Sequence, residues 1–288
     1  MKTLYTADLH GSLQLYRELE EIVISEKIGL VLIGGDLLPR TGHDNLSLIK
    51  QKRFIEEKIY PFLLTMKKCA AEVGIIPGNN DWQESINTMK QLARENLIHL
   101  LHLSPLEINT KLIIRGYPYI PPTPFAPKDF EKCDMRKDSI DSTNPSAVIS
   151  SGNRIVKIEE KSFFAKRGSI EEDLDRMTES DMEERSIYIF HAPPHDSLLD
   201  RLHNGSGAGS RAVKEFIKKN RPYITLHGHV HESPEVTGRW WQFFGTTLSI
   251  NPGQWGEMIS AVIFETDSLY ETMYHTKYGK LNDPIIKE

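Results

Sequence analysis

The sequence predicts a layered α/β protein. Three observations carry this: short apolar runs end in polar residues, longer amphipathic stretches alternate with them, and the side chains best suited to chemistry stand where the runs end. The 288 residues, 39% of them apolar, suffice for one sizeable core. Length alone admits one large domain or two small ones.

The first unit is "TLYTA" (3 to 7), strand-like, followed by the Gly11-Ser12 break and then Leu15, Leu19, Ile22 and Val23 at helical spacing, with Ser12 as N-cap. "GLVLIGGD" (29 to 36) is a second strand, a helical stretch covers about 46 to 71, and "EVGIIPGNND" (72 to 81) is a third strand broken by Pro77 and Gly78. Further strands read from "KLIIRGY", "RSIYIFHAPP" and "PYITLHGH". Ser210 caps a helix over "RAVKEFIKKN".

Residues from about 121 to 185 differ. They open with the Pro-rich "PPTPFAP" and continue through "KIEEK" and "IEEDLDRMTESDMEE", where Ser169 and Glu172 form a capping box. We read them as an insertion in a single domain of residues 1 to 288, covering or bordering a site, or else a solvated loop with one surface helix.

The net charge of −5 and pI near 6.1 give no basic surplus for an extended nucleic-acid footprint or an anionic membrane surface. Cys69 and Cys133 stand far apart in no metal or redox spacing, which predicts reduced thiols. No stretch approaches the roughly 20 apolar residues of a membrane span, so a cytoplasmic protein is expected. Oligomerisation stays open.

The polar residues at the strand ends are Asp8 and His10, Asp36, Asn79, His191, and His229 with His231. In open α/β sheets such positions converge in one crevice. Two carboxylates, an amide and four histidines, with no thiolate, suit Mn²⁺, Fe or Zn²⁺, and exceed what one ion needs. If "LHGHVHE" (226 to 232) is extended, alternation puts His227, His229 and His231 on one side, as it does Asp8 and His10. Each fragment has a bland counterpart: a strand-end Asp can cap a turn, "GGD" and "PGNND" can be turns, and His191 can be a satisfied core imidazole. The joint order argues for two ions bridged by a carboxylate.

The fragments "DLHG", "GGDL", "GNND", "HAPP" and "GHVH" together resemble the motifs of the calcineurin-like metallophosphoesterases, over about residues 5 to 253, with "NPG" (251 to 253) included and about 121 to 185 left over. The resemblance implies a four-layer α-β-β-α sandwich of two mixed sheets and a dinuclear centre. Asp8, His10 and His231 would hold one ion, Asn79, His191 and His229 the other, and Asp36 would bridge them, with His227 a neighbour. It implies hydrolysis of a small phosphoester or nucleotide-type substrate by activated hydroxide.

One departure stands out. The family motif usually has a histidine after the asparagine ligand, assisting the leaving group, and this chain has Asn80. That tilts the resemblance towards phosphodiesters. His195 or His43 could take over the missing role, or be ordinary loop residues. Arg115 and Tyr119, with Tyr117, Phe125, Trp240 and Trp241, are candidate substrate contacts or packing residues. The alternatives are a phosphomonoesterase or nuclease of the same fold, or a non-catalytic scaffold.

Overall fold

A computed structural model describes residues 1–109, 112–140, 144–178 and 185–281. The charged run's last six residues, 179 to 184, lie outside them.

Two large sheets form the centre. The first takes β1 (Lys2–Thr6), β2 (Leu30–Gly34), β3 (Glu72–Ile76) and β4 (His99–Leu100), all parallel. The second takes β5 (Leu106–Asn109) and β6 (Leu112–Tyr117), then, after a separate hairpin of β7 (Val148–Ser151) and β8 (Arg154–Lys157), β9 (Ser186–Phe190), β10 (Ile224–Leu226), β11 (Trp241–Phe244) and β12 (Thr247–Ile250). The chain returns to the first sheet through β13 (Val262–Glu265), antiparallel to β1, and through β14 (Tyr274–His275) and β15 (Gly279–Lys280). Both sheets are therefore mixed.

Alternation along the strands builds the layers. In β2, Val31 and Ile33 face a cluster with α1 (Leu13–Glu26), while Leu30 and Leu32 face the second sheet. In β9, Ile187 and Ile189 face the first sheet, and Tyr188 and Phe190 face outward. Strands buried on both faces read as unbroken apolar runs for this reason. The first sheet's outer face is also covered by α2 (Asn45–Phe54), which continues through a π-helical turn (Ile55–Ile59) into α3 (Tyr60–Lys68), and by α4 (Gln83–Arg94). The result is the expected α-β-β-α sandwich.

The stretch from 121 to 185 divides in two. The β7–β8 hairpin lies against α2 and α4, with Val148 packed beside Leu48, Trp82 and Ala126. After α5 (Glu160–Ala165), α6 (Ile170–Thr178) instead covers the second sheet: Ile170 and Leu174 join Val213, Phe216 and Ile217 of α7 (Arg211–Asn220) over Tyr188 and Phe190. So the latter part of the stretch is a layer of the sandwich. The predicted caps form. Ser12 accepts from Leu15 N, Ser210 from Val213 N, and Ser169 and Glu172 bond reciprocally. Cys69 and Cys133 are free thiols, and among the described residues no helix is long and apolar enough to cross a membrane.

Candidate metal centre

The loops after β1, β2, β3, β9 and β10 meet at one edge of the two sheets. Among the described residues ten non-glycine positions have positive φ, and four of them are Asp8, His10, Asp36 and His229. Left-handed backbone at such residues costs on the order of 1–3 kcal/mol each and persists where the surroundings enforce it. This corrects the alternation argument. Asp8 and His10 converge because the chain turns at each of them, and "LHGHVHE" leaves the extended state after Leu226. His227 consequently points into the core. Its Nδ1 lies 2.9 Å from Ala192 O, its Nε2 2.8 Å from Thr225 Oγ1, and its ring stacks on Phe190.

Ligand atoms of Asp8, His10, Asp36 and His231 all lie within 4.8 Å of one another. His10 Nε2 is 3.2 Å from His231 Nε2 and 3.6 Å from Asp36 Oδ2, and His231 Nε2 is 3.4 Å from Asp8 Oδ1. The Arg40 guanidinium reaches the same nitrogens, 2.9 Å from His10 Nε2 and 3.5 Å from His231 Nε2. An arginine cation against His10 Nε2, with two carboxylates and no thiolate beside it, fits a set that suits a hard or borderline divalent ion. Arg40 is one of the residues the sequence did not point to, with Trp255 and Asp200; its signal is an arginine four positions after the strand-end Asp36.

A second set of donors meets on the other side of Asp36. Asn79 Oδ1 lies 3.2 Å from His191 Nε2 and 3.0 Å from His229 Nδ1, and His191 Nε2 is 3.8 Å from Asp36 Oδ1. His191 Nδ1 donates to Gly34 O at 2.8 Å, which turns Nε2 towards the set. Asp36 thus presents one oxygen to each group. Asn80 steadies it from below, and a Cβ at Gly78 would overlap Asp36 Oδ1, so only glycine lets the two loops close.

Electrostatics follow from burial and proximity. Burial pushes His10 down to about 4 and His229 to about 3, so both are neutral near pH 7. Burial also opposes charge on Asp8, Asp36 and His231, but attraction between the carboxylates and the imidazoles around them outweighs it, although the two carboxylates repel each other. Asp8, beside His231, and Asp36, beside His10 and His191, are held below the ordinary carboxylate value, and Asp8 raises His231.

Asp36, Asn79, Asn80, His229 and His231 open onto a cleft of about 640 Å³. Arg40, His195, Arg211, Phe125 and Trp255 share its walls, the last two 59% and 48% exposed. The other substrate candidates lie elsewhere. Arg115 and Tyr119 line a different depression, beside His102 and Arg176. Tyr117 is buried and donates to Asp173, Trp240 and Trp241 belong to the core between the sheets, and His43 is exposed outside the cleft.

The family model for calcineurin-like phosphoesterases matches residues 1–233. In fold, the chain is similar to a protein of Thermus thermophilus (13% identity, 95% of this chain and 97% of that one, TM-score 0.57) and to a dimetal phosphatase of Danio rerio (14% identity, 98% and 97%, TM-score 0.55). No curated protein matches the sequence.

Proposed function

The chain belongs to the calcineurin-like phosphoesterase family, whose reaction class is metal-dependent phosphoester hydrolysis, and on that premise we propose a phosphodiesterase working with two divalent ions, manganese before iron or zinc. The observation that carries the dinuclear reading is Asp36, whose two oxygens face two separate donor sets. Asp8, His10 and His231 would hold one ion, and Asn79, His191 and His229 the other. Bound there, divalent ions lower the pKa of water towards neutrality and balance charge on phosphoryl oxygens.

The chain's own groups do the rest. The neutral imidazoles of His10 and His229 offer lone pairs near pH 7 without first losing a proton. Arg40, its guanidinium already at the cluster, can turn to a non-bridging phosphoryl oxygen and orient the ester. Phe125 and Trp255 offer exposed aromatic faces to the ester groups, which fits a small or nucleotide-type substrate. Asn80 favours diesters. Its amide is engaged by Asp36 and carries no acidic proton, so a phosphomonoester's poor leaving group gets no help from this position.

A single domain and a cytoplasmic setting belong to the same reading, on composition and two unpaired cysteines. The test is hydrolysis of bis(4-nitrophenyl) phosphate beside 4-nitrophenyl phosphate with Mn²⁺, using His229→Ala as control. Diester turnover well above monoester, lost in the variant, is expected. Monoester turnover in excess would sink the diester assignment, and no turnover with fewer than two ions bound per chain would return the scaffold reading.

A further inference from the structure

We propose that His195, positioned by the buried carboxylate of Asp200, gives the leaving oxygen its proton. This rests on the phosphodiesterase reading, because the reaction needs a donor that Asn80 cannot be.

His195 follows the Pro193-Pro194 pair after His191 and lines the cleft with Asp36, His229 and His231. Its side chain is 42% exposed, whereas that of Asp200 is wholly buried, and Nδ1 stands 3.7 Å from Asp200 Oδ2. That pairing leaves Nε2 on the ring edge away from the carboxylate. Asp200 is itself fixed by the backbone N–H groups of Asp196 at 2.9 Å, Ser197 at 3.0 Å and Gly209 at 3.2 Å. A Cβ at Gly207 would come within 2.6 Å of Asp200 Oδ2, so a larger residue there would push the carboxylate from its place. His195 N donates to Ser210 O and Ser210 N to Pro193 O, tying the imidazole's backbone to the start of α7.

The other groups nearby suit the role less well. Arg201 Nε lies 3.8 Å from Asp200 Oδ1, and its guanidinium also holds Asp196, but a guanidinium is no general acid, which sets aside Arg40 and Arg211 in the cleft as well. Asp134 is committed to Ser210 Oγ and Arg211 N, and Asp138 to the Arg211 side chain. Lys214 donates to Asp196 O. Glu232, also on the wall, is the rival donor.

In the step, an incoming hydroxide forms the new P–O bond and keeps its hydrogen. The bond from phosphorus to the leaving oxygen breaks, the electron pair stays on that oxygen, and the proton of His195 Nε2 moves onto it. The products are a monoester monoanion, an alcohol and a neutral His195, which solvent reprotonates. Asp200 is a positioning residue, its carboxylate facing Nδ1 at 3.7 Å and orienting the ring by charge.

The test uses the Mn²⁺-loaded full chain and diesters whose leaving groups run from 4-nitrophenol through phenol to an alkyl alcohol. His195→Asn should leave 4-nitrophenyl turnover within a few-fold and lower kcat for the poorest leaving group by about 10²–10⁴-fold. Asp200→Asn should steepen the same dependence to a lesser degree. In the metal-free protein, ring ¹⁵N shifts should show the His195 tautomer redistributed in Asp200→Asn, with its thermal melt checking the fold. A loss independent of the leaving group, or a selective loss that appears in Glu232→Gln instead, would overturn the assignment while the phosphodiesterase reading stands. A wild-type chain that hydrolyses no diester defeats that reading, and the proton-transfer step falls with it.

Discussion

Asn80 donates to both oxygens of Asp36, its backbone N–H to Oδ1 at 2.8 Å and its side-chain Nδ2 to Oδ2 at 2.6 Å. The residue standing where the family usually has histidine is a support for the carboxylate between the two donor sets. Groups that orient a metal ligand typically contribute about 10–100-fold to metal affinity. Asn80→Ala should weaken Mn²⁺ binding by that order, read by calorimetry, with the fold intact. Asn80→His should raise the ratio of monoester to diester turnover, and no rise would remove this residue from the explanation of substrate choice.

Arg40 and a metal ion would use the same lone pair, His10 Nε2. Arg40→Gln removes a charged competitor for that nitrogen. Such a bond is worth about 1.5–3 kcal/mol, so affinity for the first ion should rise by roughly 10-fold or more. The same change takes away a phosphate partner, and kcat/KM for the diester should fall by a comparable factor. Tighter metal with weaker catalysis separates this from general damage to the site, which would weaken both.

The strands were legible because their physics is local. Apolar runs such as Leu30–Gly34 and Ser186–Phe190 are buried on both faces, and their sequences show it. The donors are legible by their order along the chain, though not by strand alternation, since φ is positive at Asp8, His10, Asp36 and His229. No sequence period encodes a left-handed residue held by surrounding loops. The same limit explains His227, which shares the spacing of His229 and His231 but serves the core. The helix α4 was missed because its apolar face, Ile86, Met89 and Leu92, sits among polar residues and Trp82 gives no side-chain cap. The covering role of α6 was hidden by its charge, with Ile170 and Leu174 carrying the contact.

His227 also makes stability depend on pH. Burial pushes it down to about 3 from an ordinary value of 6.5. Below pH 6.5 the unfolded chain takes up a proton that the folded one refuses until about pH 3, so stability falls as pH falls through that window. At pH 4 this single group costs roughly 3 kcal/mol relative to neutral pH. Metal-free His227→Gln should lose less stability than wild type between pH 7 and pH 4 in denaturant melts. Equal slopes would mean that the buried imidazole is protonated without unfolding.

The rim of the cleft is anchored by a buried cation. Lys128 Nζ donates to Thr123 O at 2.6 Å and Glu131 Oε2 at 2.9 Å, and lies 3.2 Å from Glu160 Oε1; both Lys128 and Glu131 side chains are wholly buried. Glu131 in turn accepts from Thr123 N and Oγ1, so two side chains grip the Pro121–Phe125 segment from beneath. Burial pushes Glu131 up to about 7, with the Lys128 charge restraining the rise. Removing one partner of a buried pair typically costs about 3–5 kcal/mol, because the remaining charge loses its compensation. Lys128→Met should therefore lower the melting temperature sharply at pH 8, and adding Glu131→Gln should recover part of the loss. If the rim sets substrate position, the double variant should raise KM for a bulky diester more than its kcat changes, whereas an unchanged KM would confine the cluster to stability.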